Sequence, residues 1–304
     1  MIKEHLRQWS ITGSRVAAAL LLASLGTAVP ASSASAADYY VGASTAIVSH
    51  FDVKQQPVNA EALQRKERSS RSRVALIIDD FGNGLRGTEE MFALPIKLTV
   101  AVMPFLPTTK ADAIRAHKRD DDVLLHLPME PRHGKPEWLG PGAVLANMSD
   151  DEVRKRVETA LDNVPYAIGI NNHMGSRVTG DERVMGIVLS VCQERGLFFV
   201  DSKTNYRSVV GKMSQQKGLP RIENQVFLDD THTVTHVLRQ MRRVQEQAMQ
   251  SRYCISIGHV GIQGKETAAG IRGAIDQMKD SVEFVGISDL VKDEWKWKAS
   301  PKLP

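Results

Sequence analysis

From residue 73 onward, short apolar runs rich in β-branched residues recur along the chain. The first, RVALIID at 73–79, has the length and composition of a buried strand. Comparable runs lie at 98–103, 123–127, 166–170, 197–200, 225–228, 253–257 and 282–287. Between most of them the apolar spacing becomes helical. Ser149-Asp150-Asp151-Glu152 has the spacing of a capping box before VRKRVETAL. Thr179-Gly180-Asp181-Glu182 repeats that spacing before RVMGIVLSVCQERG, with Gly196 as a C-terminal stop. Further helical stretches occupy 233–250 and 266–278. Roughly eight such units predict an α/β fold: a distorted (β/α) barrel of about seven to eight parallel strands with outer helices. Dinucleotide binding is not expected.

The first 72 residues have a different pattern. Lys3, Arg7 and Arg15 precede an apolar stretch at 16–29, which only Ser24 and Thr27 interrupt with polar groups. Small residues follow, including Ala34-Ser35-Ala36. This is the order of a secretory signal peptide, with cleavage expected after Ala36. The apolar stretch is 14 residues long, short of the roughly 20 that cross a bilayer as a helix. The expected organisation is a signal peptide at 1–36, a flexible polar and basic linker at 37–72, a folded domain at 73–292 and a Lys/Trp tail at 293–304. A periplasmic location follows, with no stable membrane span after cleavage.

Charge excludes one class of partner. The chain has 304 residues and a net charge of +4, but residues 1–36 and 37–73 each carry +2, which leaves 74–304 neutral. A nucleic-acid partner would need a basic face on the folded part, so none is expected. Cys192 and Cys254 sit in apolar surroundings without CxxC spacing and read as two buried free thiols.

The candidate chemistry lies where the apolar runs stop. They end in Asp79-Asp80, His126, Asn171-Asn172-His173, Asp201, Asp229-Asp230 and His259. In a parallel barrel these C-terminal strand ends converge on one mouth. Asp, His and Glu supply oxygen and nitrogen donors suited to zinc or another divalent first-row metal. Consecutive residues of an extended strand point in opposite directions. Asp79 and Asp80 are therefore expected to diverge, one binding metal while the other acts as base.

These motifs resemble the polysaccharide deacetylase, or NodB-homology, superfamily, and more closely its divergent polysaccharide deacetylase branch, over about residues 73–292. Ile77-Ile78-Asp79-Asp80-Phe81-Gly82 is similar to the family's first motif, which implies Asp79 as catalytic base and Asp80 as metal ligand. His126-Leu127-Pro128-Met129-Glu130-Pro131 resembles the second, where two His four residues apart hold the metal; here Glu130 replaces the second. The ligand set implied is Asp80, His126 and His173, with Glu130 as an alternative ligand or a supporting partner. Asn171-Asn172-His173-Met174-Gly175-Ser176 and Phe199-Val200-Asp201-Ser202-Lys203-Thr204 are similar to motifs of the divergent branch. Ile257-Gly258-His259 matches the family's last motif, which makes His259 the proton donor to the leaving amine; Asp201 is expected to orient or charge-tune a histidine. The usual Arg-Pro-Tyr motif is not evident, and Arg177 is the candidate for part of its role.

The resemblance implies a metal-dependent hydrolase, zinc foremost, removing N-acetyl groups from an N-acetylated or peptidoglycan-like envelope glycan. The alternative is a catalytically weak deacetylase fold that binds envelope glycan or a protein partner. Trp138 lies in the long segment 131–148, placed to cover the site.

Overall fold

A computed structural model describes residues 71–298. The expected signal peptide, and all but the last two residues of the expected linker, lie outside the described residues. Among the described residues, nine strands form one sheet. In chain order the elements are β1 (Ser72–Phe81), α1 (Thr88–Phe92), β2 (Thr99–Val102), α2 (Thr109–Lys118), β3 (Asp122–Met129), α3 (Asp150–Asn163), β4 (Ala167–Met174), α4 (Glu182–Arg195), β5 (Phe198–Asp201), α5 (Val210–Gln216), β6 (Ile222–Glu223), β7 (Val226–Phe227), α6 (Val234–Ser251), β8 (Tyr253–His259), α7 (Gly264–Met278), β9 (Val282–Val285) and α8 (Ile287–Glu294).

Eight parallel strands run in the order β6-β5-β4-β3-β2-β1-β8-β7, curled into a half-barrel with helices around it. β9 pairs with the first residues of β1, Ser72 to Ala75, while β2 pairs further along, from Ile77. β8 occupies the other edge of β1 from Arg73 to Asp79, so β9 and β2 share one edge of this 10-residue strand.

Two apolar layers follow from strand alternation. Val74, Leu76 and Ile78 face outward into a layer beneath the helices, which includes Val188, Leu189, Val237, Met241 and Ile271. Ala75 and Ile77 face inward with Ala101, Leu124, Val200, Ile255 and Ile257. α8 brings Ile287, Leu290 and Val291 to that inner layer. Asp122 holds the start of this helix, accepting hydrogen bonds from Ser288 N at 2.7 Å and Ser288 Oγ at 2.9 Å. The Lys/Trp segment belongs to the same packing: Arg73 pairs with Asp293 and Glu294, Trp295 lies against Tyr253 and Trp297 against Phe198. Both cysteines are buried and free.

The capping expectations divide. Ser149 and Glu152 form the reciprocal capping box of α3, and Gly196 ends α4 in the left-handed region with φ 67°. Thr179 does not cap α4. Its hydroxyl donates to Gly175 O at 2.8 Å within a short 3₁₀ turn, and Asp181 caps instead, accepting from Val184 N at 3.0 Å.

Candidate metal centre and its flanking groups

Asp80, His126 and His173 come from the C-terminal ends of β1, β3 and β4, and their ligand atoms cluster. Asp80 Oδ1 lies 3.0 Å from His173 Nδ1 and 3.3 Å from His126 Nε2; the two nitrogens are 3.1 Å apart. A tetrahedral zinc with bonds of 2.0–2.1 Å needs donors about 3.3 Å apart, so the triangle has nearly the required size.

The hydrogen-bond partners show what is missing from its centre. His126 Nδ1 faces Asn171 Oδ1 at 2.9 Å, and His173 Nε2 faces the Trp138 carbonyl oxygen at 3.0 Å. Both partners only accept, so those nitrogens carry the hydrogens. His126 Nε2 and His173 Nδ1 are then lone pairs, and Asp80 Oδ1, a buried oxygen, receives no hydrogen bond. Three acceptors converge without a hydrogen among them, an arrangement that demands a proton or a cation. Three protein donors with the fourth position left open are also the pattern of hydrolytic zinc sites. The residues present therefore fit a divalent metal. Burial disfavours the Asp80 carboxylate, but the two imidazoles outweigh it and hold the group well below the usual carboxylate range. For His126, burial works to lower the imidazole and is outweighed by Asp79 and Asp80, which raise it.

The two adjacent aspartates do not diverge as an extended strand requires. Asp80 takes a left-handed conformation, φ 72°, where the pairing of β1 with β2 shifts register between Ile78 and Phe81. The break in alternation turns both carboxylates toward His126: Asp79 Oδ2 lies 3.7 Å from Nε2. A non-glycine residue in that region is strained, and the strain falls at the residue that completes the triad. Asp79 is buried, and burial raises its pKa against the lowering influence of His126 and His259. Asn171 Nδ2 donates to Asp79 Oδ1 at 2.8 Å.

His259 stands across from Asp79 in the pairing of β1 with β8. Its Nδ1 faces Asp229 Oδ1 at 2.8 Å, while Asp229 Oδ2 accepts from the His259 backbone N–H and from Thr267 Oγ1, both at 2.8 Å. Burial alone would lower the imidazole, but Asp229, with Asp80 and Asp79, raises it to about 9. A buried carboxyl group and an imidazole held by a carboxylate thus sit side by side next to the triad.

Glu130 and Asp201 are not brought to this cluster. Glu130 pairs through Oε1 with Arg177 at 2.7 Å and accepts the Ala146 N–H through Oε2 at 2.7 Å. β3 stays extended through Met129, so four residues carry Glu130 about 13 Å beyond His126. Arg177 is accordingly engaged with Glu130, and the group on the Asp79 carboxylate is the neutral Asn171. Asp201 accepts from Lys203 N at 2.8 Å; the carboxylate that holds His259 is Asp229. Asp229 and Asn171 stood at strand ends in the sequence without assigned roles. The pairing of Phe227 with Ile257 places Asp229 level with His259 two residues further on, a signal readable once β7 and β8 are known to be neighbours.

Gly82-Asn83-Gly84-Leu85-Arg86-Gly87 has the glycine spacing of a dinucleotide-binding turn after β1, but the geometry is not a phosphate cradle. Asp112 Oδ2 already accepts the Gly82 N–H at 2.9 Å, Thr108 Oγ1 the Gly84 N–H at 3.1 Å, and the following helix spans five residues. A Cβ on Gly87 would lie 2.4 Å from the Gly264 backbone, so that glycine serves close packing.

The sequence profile of the family described as divergent polysaccharide deacetylase matches residues 76–291. The chain belongs to that family. An uncharacterized protein of Haemophilus influenzae is 33% identical over 252 residues, 83% of this chain and 87% of that protein. The uncharacterized protein YibQ of Escherichia coli is 35% identical over 187 residues, 62% of this chain and 58% of that protein. A crystal structure of an uncharacterized Agrobacterium tumefaciens protein superposes with a TM-score of 0.68 at 23% identity, covering 73% of this chain and 89% of that one. That likeness shows the fold. The family's matched region contains the triad, Asp79 and the Asp229–His259 pair.

Proposed function

We propose that this divergent polysaccharide deacetylase is an exported hydrolase that uses a divalent metal, zinc foremost, to remove N-acetyl groups from a cell-envelope glycan. The observation that carries the reading is the placement of Asp79 against an imidazole of a three-donor cation site, with His259 level with it on the neighbouring strand β8. A bound metal would polarise the acetyl carbonyl and favour ionisation of the attacking water. Asp80, His126 and His173 would hold it. Asp79, its pKa raised by burial, takes a proton from water as the new C–O bond forms. His259, held as the imidazolium by Asp229, gives a proton to the sugar nitrogen as the C–N bond breaks. Water and the N-acetyl group become acetate and the free amine.

The Trp138 ring supports a carbohydrate substrate. It is 59% exposed, while its own carbonyl accepts the hydrogen bond from His173. Export is supported by the cationic, apolar and small-residue order of residues 1–36. Among the described residues, no helix is long and apolar enough to cross a membrane.

Acetate release from N-acetylated oligosaccharides and peptidoglycan fragments, with added Zn²⁺, Co²⁺ or Mn²⁺, tests the reading. Metal-dependent release that Asp79→Asn abolishes is the expected result. No acetate from any of these substrates by metal-loaded protein would overturn it.

A further inference from the structure

We propose that Asn171 is the positioning residue that couples the metal ligand to the base, its single carboxamide fixing His126 with the oxygen and Asp79 with the amide. For the reaction this rests on the hydrolase reading above; for the metal site it does not.

Asn171 is fully buried on β4, register-paired with His126 on β3. Its Oδ1 lies 2.9 Å from His126 Nδ1, and its Nδ2 donates to Asp79 Oδ1 at 2.8 Å and to Ser202 Oγ at 3.4 Å. The opposite orientation of the amide is disfavoured. It would turn Oδ1 against the Asp79 carboxylate and against Ser202 Oγ, whose hydrogen already goes to the Asn172 carbonyl at 2.9 Å. The carboxamide therefore has one satisfactory orientation, and that orientation sets a proton on His126 Nδ1. The Nε2 lone pair is left facing Asp80 and His173.

The segments around Asn171 hold it in place. Asn172 Oδ1 accepts from Ser202 N at 2.9 Å, its Nδ2 donates to the Met174 carbonyl at 2.8 Å, and Thr204 Oγ1 donates to that same carbonyl at 2.6 Å. The Asn171-Asn172-His173 and Ser202-Lys203-Thr204 segments are thus locked across β4 and β5. Their shared product is a fixed carboxamide between base and ligand. A purely structural buried amide would need partners, but it would not need them to be the metal ligand and the base.

The two contacts can be separated. Asn171→Leu keeps the volume and removes both. Asn171→Asp keeps an acceptor for His126 Nδ1 while replacing the donor to Asp79 with a like charge. Zn²⁺ alone, titrated against a chelator, is expected to bind Asn171→Leu about 10–100-fold more weakly than wild type. It should bind Asn171→Asp within about threefold of wild type, with kcat for acetate release reduced at unchanged KM. Ring-nitrogen NMR of metal-free protein at alkaline pH should show His126 hydrogenated at Nδ1 in the wild type and as a tautomer mixture in Asn171→Leu. This measurement reads the assignment even where zinc binding is weak, and thermal melts establish that each variant is folded. Equal zinc affinity in Asn171→Leu and wild type, equal loss in both variants, or an unchanged His126 tautomer in Asn171→Leu would overturn the proposal. Zinc affinities that separate as stated, with no acetate released by the wild type, would uphold Asn171 and refute the deacetylase reading instead.

Discussion

The Asp229 carboxylate spends both oxygens on fixing His259: one meets the ring Nδ1 and the other meets the same residue's backbone N–H, each at 2.8 Å. The ring can therefore neither rotate nor change tautomer without breaking a charge-assisted hydrogen bond, and its Nε2 is the free position. In metal-free protein, NMR titration should place His259 near 9, and Asp229→Asn should lower it by one to three units. The sign for stability follows from the raised value. The contribution is fully present below the unfolded pKa of about 6.5 and is lost as pH rises through about 9. It is on the order of 3 kcal/mol. Denaturant melts between pH 6 and 10 should show that loss in the wild type and a flatter profile in Asp229→Asn.

Metal analysis of purified variants should separate ligands from base. Asp80→Ala, His126→Ala and His173→Ala each remove one of three converging donors, and each should lose stoichiometric metal. Asp79→Asn retains the full donor set and a group able to accept from Asn171 Nδ2, so it should keep the metal and lose turnover by at least about 100-fold. Stoichiometric metal in Asp80→Ala would refute the assignment of the triad.

Glu130→Ala should behave differently from the triad variants. The carboxylate ties the segment after β3 to Ala146 N and to Arg177, and its removal leaves metal content unchanged. Loss of these bonds from a partly exposed side chain should cost about 1–2 kcal/mol of stability in denaturant melts. Loss of metal from this variant would return Glu130 to the ligand set.

The parallel barrel and the mouth were legible because strands buried on both faces leave near-continuous apolar runs, and polar groups at their ends have nowhere to go but the opening. What was hidden depended on local backbone. No pattern of residue types announces that Asp80 turns left-handed, yet that turn brings Asp79 and Asp80 to the same imidazole. The strand character of Asn171-Asn172-His173 was masked by its polarity, although β4 continues through it to Met174. A motif spacing of four residues suggested Glu130 as a ligand because spacing alone does not distinguish a chain that folds back from one that stays extended. β6 and β7 pair over only two residues each, too little for an apolar run to separate them, and so the level position of Asp229 and His259 was invisible.

Trp138 offers a test of the substrate class that spares the metal. The contact to His173 is made by the Trp138 backbone carbonyl, which any residue at the position supplies, whereas the exposed ring, with Lys135 Nζ 5.9 Å from its centroid, offers surface on which a pyranose can stack. Trp138→Ala should therefore keep zinc affinity and kcat near wild type. Its KM for N-acetylated oligosaccharides should rise about tenfold, the equivalent of ~1.4 kcal/mol of binding, and Trp138→Tyr should recover most of that. Were zinc affinity to fall in Trp138→Ala instead, the ring would be holding the loop over His173 rather than meeting sugar. An unchanged KM would place the glycan elsewhere on the mouth.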